Sequence, residues 1–134
     1  MNTEKLKNKK VLVVDDEERN TFALRSYLET LDMDIALAEN GKEAITLLRN
    51  GLKCGIILLD IMMPVMDGFE TLAVLREDNN LRDIPVIAVT ARTMTGDRAK
   101  CLEAGAKDYM SKPINLPELT YKIIKWIRTD EFQS

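Results

Sequence analysis

The chain has 134 residues, a net charge of −3 and 46% hydrophobic residues, which fits one globular domain with its own core. Its acidic balance, with a pI near 5.1, argues against a nucleic-acid-binding domain, which would present a basic face. No apolar run reaches the roughly 20 residues of a membrane span. The absence of histidine excludes histidine-based catalysis within this chain. Cys54 and Cys101 match no zinc or redox motif, which fits a cytoplasmic protein.

Five short apolar runs alternate with segments of helical periodicity along the chain. The runs predict strands at residues 11–14, 34–38, 56–59, 85–89 and 107–111. Asp67 and Glu70 have the spacing of a helix capping box after the third run. Nearly continuous apolar strands suit a parallel sheet that is covered on both faces. We therefore expect a three-layer doubly wound α/β domain over residues 8–129, with flexible termini at 1–7 and 130–134.

Polar residues stand at the ends of four predicted strands. Asp15 and Asp16 follow the first strand, Asp60 the third, Thr90 the fourth and Lys112 the fifth. Because the carboxyl ends of parallel strands meet at one edge of a sheet, where ligands bind, we expect these residues to share a crevice. Each residue alone has a simpler explanation: the first two could cap a helix, and the others could be solvated strand ends. The combination is what indicates a site.

The predicted crevice has a composition suited to phosphoryl chemistry. Two carboxylates about 4 Å apart repel by about 4 kcal/mol at an effective dielectric near 20, so three of them need a cation or a proton. Oxygen ligands without histidine or thiolate favour Mg²⁺, Mn²⁺ or Ca²⁺. On the expected central strand, Asp60 is assigned as a nucleophile toward phosphorus. Asp16 is assigned as a direct metal ligand, and Asp15 as a ligand through water.

The chain resembles the response regulator receiver family along nearly its whole length, through the segments VLVVDDEERN, IILLDIMMPVMDGFE, IPVIAVTAR and EAGAKDYMSKP. The resemblance implies a flavodoxin-like receiver fold with strand order 2-1-3-4-5. It also implies that Asp60 is phosphorylated, that Asp15 and Asp16 are the acidic pair, and that Mg²⁺ or Mn²⁺ is the cofactor. The backbone carbonyl of Met62 is then expected to complete the metal site.

The same resemblance assigns roles to residues around the fourth and fifth strands. Thr90 is expected to be the switch hydroxyl, Ala91 to offer a backbone N–H, and Lys112 to bind the phosphoryl group. Tyr109 matches the aromatic residue that rotates in the active state, although a half-buried strand tyrosine with no switching role is a plain alternative. A cis peptide bond is expected before Pro113.

The function implied is that of a phosphoacceptor signalling switch rather than an enzyme, apart from self-catalysed phosphotransfer and autodephosphorylation. The expected donor is the phosphohistidine of a histidine kinase or phosphotransfer protein. A downstream protein or a fused domain would bind the face of helix 4, strand 5 and helix 5. The segments RNTFALRSYLE and TARTMTGDRAKCLEAGA look like receivers of hybrid histidine kinases. Met62 and Arg92 flank the expected route of a hydrolytic water, and we expect them to set the lifetime of the phosphorylated state.

Three other classes of protein are less consistent with the residues. A phosphatase of the haloacid dehalogenase type carries a second aspartate two residues after its nucleophile, where this chain has Met62. A flavodoxin-like flavin carrier needs a phosphate-cradling loop after the first strand, but here that loop is acidic. An inactive adaptor would keep the fold without the full set of chemical residues. Trp126, off the inward stripe of the last helix, is a weak candidate for a partner surface.

Overall fold

The computed structural model describes residues 2–63, 65–91 and 97–128, which form five strands and five helices in strict alternation. The strands are β1 (Lys10–Val14), β2 (Asp34–Ala38), β3 (Ile56–Asp60), β4 (Val86–Thr90) and β5 (Asp108–Ser111). The helices are α1 (Glu18–Glu29), α2 (Gly41–Arg49), α3 (Gly68–Glu77), α4 (Asp97–Glu103) and α5 (Leu116–Trp126). A short 3-10 helix at Glu4–Leu6 precedes β1.

All neighbouring strands are parallel, and the sheet has the order β2-β1-β3-β4-β5. This confirms both the doubly wound α/β prediction and the predicted strand order. β3 is central and is fully buried along its length. The ladder pairs Val14 with Leu59 and Asp60 with Val89, so β1 and β4 end beside the end of β3. The topology thus directs the residues after these strands toward one edge of the sheet.

Two hydrophobic cores cover the two faces of the sheet. Successive strand residues point to opposite faces, so Leu59 belongs to one core and Leu58 to the other. The first core receives α2, α3 and α4, and the second receives α1 and α5. In α5, Leu119 and Ile123 on the inward face are fully buried. The burial on both faces explains why the strands read as nearly continuous apolar runs.

The helix starts follow local side-chain chemistry. Asp67 and Glu70 form the predicted capping box, with the Asp67 carboxylate accepting from the backbone N–H of Glu70 at 2.9 Å. Five strand boundaries differ by one residue from the predicted ones: the start of β1, the end of β3, both ends of β4 and the start of β5. β4 begins at Val86, because Pro85 has no N–H to donate, although its carbonyl accepts from Ile57. β5 begins at Asp108, one residue later than predicted.

The N-terminal segment differs from the expected flexible terminus at residues 1–7. Leu6 is fully buried in the core shared by α1 and α5, and the Lys5 ammonium donates to the Ile124 carbonyl at 3.0 Å. Burying one leucine contributes about 2 kcal/mol toward holding this segment against the domain. The expected C-terminal tail at 130–134 lies outside the described residues. In the described part of the chain, every helix is too short or too polar to cross a membrane.

Candidate functional site

Three residues predicted to share a crevice meet directly at the carboxyl edge of the sheet. The Lys112 ammonium lies 3.2 Å from Asp60 Oδ2 and 3.1 Å from Asp15 Oδ2. Asp60, at the end of β3, is 4% exposed, and Asp15 is similarly buried after β1. A single lysine therefore bridges two buried carboxylates from two different strands.

Asp16 completes a cluster of three carboxylates. Ligand oxygens of Asp15, Asp16 and Asp60 all lie within 4.8 Å of one another. Asp16 is exposed, whereas the other two are buried, so the cluster opens to solvent on the side of Asp16. Three carboxylate oxygens with no sulfur or imidazole ligand suit a hard divalent cation such as Mg²⁺ or Mn²⁺.

Backbone donors hold the two buried carboxylates in place. Asp15 Oδ1 accepts from the N–H of Glu17 at 2.8 Å, and Asp60 Oδ1 accepts from the N–H of Met62 at 3.0 Å. Glu17 is the N-cap residue of α1, so Asp15 also organises the start of that helix. Because this bond is to the N-cap residue and not to a helical N–H, Asp15 does not itself cap α1, and its contacts favour the site interpretation.

The charges in the crevice shift the pKa values of its groups. Burial raises the pKa of Asp60 above its ordinary value, and the nearby Asp15 adds to this, against the lowering effect of Met62 N–H and Lys112. Burial alone would lower the pKa of Lys112, but the charges of Asp60 and Asp15 and their hydrogen bonds raise it. The two directions are compatible, because the Asp60 side chain is more deeply buried than that of Lys112. Lys112 is accordingly a permanent cation in the crevice.

The ends of β4 and β5 bring further predicted residues to the same edge. Thr90 is buried at the end of β4, and its carbonyl accepts from the backbone N–H of Lys112 at 2.8 Å. Ala91 follows Thr90 and is exposed. The Lys112–Pro113 peptide bond is cis, as expected. Main-chain pairing between β4 and β5 thus fixes the position from which the Lys112 side chain reaches across to β3 and β1.

Tyr109 lies one strand residue before Met110 and is half-buried against the core that contains α4. Its pKa is raised by burial first, and then by the charges of Asp97 and Cys101 on α4. The tyrosine is therefore placed between β5 and α4, near the carboxyl edge but directed toward the helix.

Met62 and Arg92 were predicted to flank the crevice. Met62 directly follows Ile61 in the loop after β3 and is 49% exposed. Its backbone N–H is already bonded to Asp60. Arg92 lies outside the described residues.

Gly68 is a structural residue of the site that the sequence analysis missed. Its N–H donates to the Ile61 carbonyl at 3.0 Å, which closes the loop after β3. A Cβ on Gly68 would lie 2.6 Å from Ile61 Cα and 3.0 Å from the Asp60 carbonyl oxygen. The pair Asp67–Gly68 could have indicated this role, because a glycine directly after a helix-capping residue suggests that the backbone there passes close to another part of the chain.

These features define a class of protein: a doubly wound α/β domain with an acidic, lysine-bridged crevice at the end of its central strand. The sequence matches the family described as response regulator receiver domain over residues 11–124. The chain therefore belongs to the receiver domain family, whose members are phosphoacceptor switches of two-component signalling.

Curated relatives place the domain both in long and in short proteins. The chain is 40% identical over 121 residues to hybrid signal transduction histidine kinase I of Dictyostelium discoideum, covering 86% of this chain and 7% of that protein. It is 37% identical over 119 residues to the polar-differentiation response regulator DivK of Brucella anthropi, covering 89% of this chain and 96% of that protein. The domain is thus similar to a small part of one relative and to nearly all of the other.

Solved structures share the fold. The receiver domain of Saccharomyces cerevisiae Ssk1, crystallised with the histidine phosphotransfer protein Ypd1, matches at 30% identity and TM-score 0.82, over 90% of each chain. The receiver domain of the Pseudomonas aeruginosa sensor kinase PA1611, with magnesium in its active-site cleft, matches at 32% identity and TM-score 0.80, over 89% of this chain and 97% of that one. The Mn²⁺-bound form of the response regulator Rcp1 matches at TM-score 0.74, with 27% identity, over 86% of this chain and 88% of that one.

Proposed function

We propose that Asp60 is the phosphoacceptor of this receiver domain and that it takes its phosphoryl group from a phosphohistidine on a partner protein. A carboxylate oxygen of Asp60 would attack phosphorus, forming the O–P bond as the N–P bond to the imidazole breaks. The observation that carries this assignment is the position of Asp60. It is a buried carboxylate at the end of the central strand, in contact with a lysine and next to two further carboxylates.

We infer that Asp16 and Asp60 bind Mg²⁺ or Mn²⁺ directly, with Asp15 acting through water and the Met62 carbonyl as a further ligand. The oxygen-only cluster fits such an ion. The magnesium-bound and manganese-bound receivers among the structural neighbours support the choice. When bound, the ion supplies positive charge next to the transferring phosphoryl group.

The other residues of the crevice have roles that follow from their positions. Lys112 holds the carboxylates of Asp15 and Asp60 before transfer, and it would then bind a phosphoryl oxygen as a point charge. The Thr90 hydroxyl at the end of β4 and the N–H of Ala91 directly after it would donate to the other phosphoryl oxygens. These residues would act through positioning and charge, which suits self-catalysed phosphotransfer and autodephosphorylation.

The replacement of Asp16 by asparagine tests the charge crowding. Without metal, we expect Asp16→Asn to raise the free energy of unfolding by about 0.5–1 kcal/mol, because Lys112 compensates two carboxylates and the third only adds repulsion. With Mg²⁺, the variant should gain less stability than the parent, since a ligand is lost.

Thermal midpoints in EDTA and in magnesium chloride measure both effects. Asp83→Asn, at an exposed position before β4, is the control for the same change in net charge. A lower midpoint for Asp16→Asn in EDTA would show that this carboxylate serves mainly the start of α1.

The partner protein would approach over an apolar rim beside the crevice. Phe22 on α1 is 72% exposed and Val65 in the loop after β3 is 77% exposed. Between α1 and the β5–α5 connection, Ala23 and Lys112 line a groove of about 240 Å³. The co-crystal structure of Ypd1 with the Ssk1 receiver domain supports a phosphotransfer protein as a partner of this domain. A histidine kinase offers the same donor chemistry.

We place the domain in the cytoplasm, because its two free, buried thiols suit a reducing compartment.

The output would follow from a change at Tyr109. The phosphoryl group adds charge that Thr90 can bind, and this would vacate space for the Tyr109 side chain. Phosphorylation then stabilises an arrangement of α4, β5 and α5 that the domain already samples. A downstream protein or a fused domain would read this face.

The lifetime of the phosphorylated state should depend on Met62 and Arg92. We expect Met62→Asn and Arg92→Ala each to change the rate of phosphate loss from Asp60 several-fold, because the sequence predicts both residues beside the route of the hydrolytic water. The rate is measured by following the loss of phosphoryl mass from the purified, phosphorylated variants over time. Lys42→Met on the exposed face of α2 is the control, and rates equal to that of the parent would remove both residues from this role.

The direct test of the proposed function uses a small phosphodonor. Incubation of the parent with acetyl phosphate and Mg²⁺ should raise its intact mass by one phosphoryl unit. We expect no gain in mass when the metal is omitted or in the Asp60→Asn variant. A parent protein that gains no mass under these conditions would instead be an inactive adaptor with the receiver fold.

A further inference from the structure

A cluster of hydrogen-bonded charges ties β5 to α5 on the side of the domain away from the crevice. We call Asp108, Lys122 and Trp126 the β5–α5 clamp. The Asp108 carboxylate accepts from the Lys122 ammonium at 3.1 Å through Oδ1 and from the Trp126 indole at 2.9 Å through Oδ2. One carboxylate at the start of β5 thus holds two turns of α5.

The clamp is largely shielded from water. The side chains of Asp108 and Lys122 are 12% and 17% exposed. Burial alone would raise the pKa of Asp108, but the hydrogen bonds from Trp126, the Tyr109 N–H and Lys122, with the charge of Lys122, lower it. Lys122 also pairs with Glu118 at 3.2 Å, on the solvent side of the same helix. Separating charges that are largely removed from solvent costs more than separating a fully exposed ion pair, so the clamp resists opening.

The clamp also binds the main chain of Tyr109 at both of its polar groups. The Tyr109 N–H donates to Asp108 Oδ1 at 2.8 Å, and the Tyr109 carbonyl accepts from the Lys122 ammonium at 2.6 Å. β5 is an edge strand that pairs only with β4, and edge strands leave one row of peptide groups without a strand partner. Here two charged side chains take the place of that partner at the residue proposed to switch.

We propose that Asp108 and Lys122 are positioning residues for Tyr109, and that the clamp makes β5 and α5 respond to phosphorylation as one unit. This inference rests on the proposed phosphorylation of Asp60. The clamp ties the Tyr109 backbone to α5, because Lys122 and Asp108 bind both. When rotation of the Tyr109 side chain displaces β5, the displacement is therefore passed through these two residues to Trp126.

The chain offers its own reporter, because Trp126 is its only tryptophan. Its indole N–H donates to Asp108 and its ring faces the Lys125 ammonium at 5.2 Å. Indole emission responds to changes in such polar contacts. Addition of acetyl phosphate with Mg²⁺ should therefore change Trp126 emission in the parent, in proportion to the phosphorylated fraction, and leave it unchanged in Asp60→Asn.

Lys122→Met separates coupling from phosphorylation, since it keeps the length of the side chain and leaves the crevice untouched. We expect the variant to gain the same phosphoryl mass as the parent, but to lose at least half of the emission change. Lys122→Arg should restore it. Glu118→Gln, which removes only the outer partner of Lys122, should behave as the parent. Asp108→Asn provides a second route to the result if Lys122→Met does not fold, as judged by circular dichroism.

The outcomes are distinct. An emission change in Lys122→Met and Asp108→Asn as large as in the parent would overturn the coupling role, as would a fully phosphorylated parent without any emission change. A parent that gains no phosphoryl mass at all would overturn the proposed function, and this inference with it.

Discussion

Lys112→Met should destabilise the metal-free domain by about 3 kcal/mol and slow phosphorylation of Asp60 by acetyl phosphate at least about 100-fold. The stability loss arises because Asp15 and Asp60 are buried and share this one ammonium group at 3.1 and 3.2 Å, so its removal leaves two carboxylates without compensation. The rate loss arises because the same charge would face the phosphoryl oxygens during transfer.

Two measurements separate these effects. Urea unfolding in EDTA gives the stability change, and Mg²⁺ should recover part of it, since the cation offsets the same carboxylates. The rate of mass gain with acetyl phosphate gives the second effect. Lys42→Met on the exposed face of α2 is the matched control and should alter neither. A Lys112→Met protein with the stability and labelling rate of the parent would contradict the bridging role of Lys112.

Gly68→Ala should lower the free energy of unfolding by about 2 kcal/mol and also slow labelling of Asp60. The new Cβ would lie 2.6 Å from Ile61 Cα and 3.0 Å from the Asp60 carbonyl. Because these are backbone atoms, the steric clash can be relieved only if the loop after β3 moves. That loop carries Met62, whose N–H holds the Asp60 carboxylate.

Gly105→Ala provides the control for a glycine replacement. Gly105 has a φ of +119° and nothing within 4 Å of an added Cβ, so its cost comes from the backbone conformation alone. We expect a loss of about 1 kcal/mol with no change in labelling. Equal labelling rates in Gly68→Ala and the parent, measured by mass at matched times, would show that the loop tolerates the methyl group.

The sequence was sufficient to predict the fold and the location of the site, because both depend on strand pattern. Continuous apolar runs required a sheet covered on both faces. Parallel strands then placed the residues that follow them at one edge. Asp60 and Lys112 meet for this reason, although 52 residues separate them along the chain. The exact ends of the strands depended on single backbone hydrogen-bond donors, such as the N–H that Pro85 lacks.

Contacts made by long side chains between elements were not predictable from local pattern. The reach of Lys112 to Asp15 depends on the register of the three strand pairs that separate them, β1–β3, β3–β4 and β4–β5. Trp126, considered a weak marker of a partner surface, donates to Asp108 instead and is half-buried. Asp108 lies 18 residues before Trp126 in the chain, on β5. That β5 is an edge strand becomes evident only once the whole sheet is assembled. The burial of Leu6 likewise depends on a core formed by α1 and α5.

The position of the phosphoryl group on the chain identifies the phosphoacceptor directly. Borohydride reduces an aspartyl phosphate to the corresponding alcohol, which marks the residue for peptide mass analysis after labelling with acetyl phosphate and Mg²⁺. We expect homoserine at position 60 and unmodified aspartate at Asp15 and Asp16. Reduction product at Asp15 or Asp16, with Asp60 intact, would contradict the assignment of Asp60 as the phosphoacceptor.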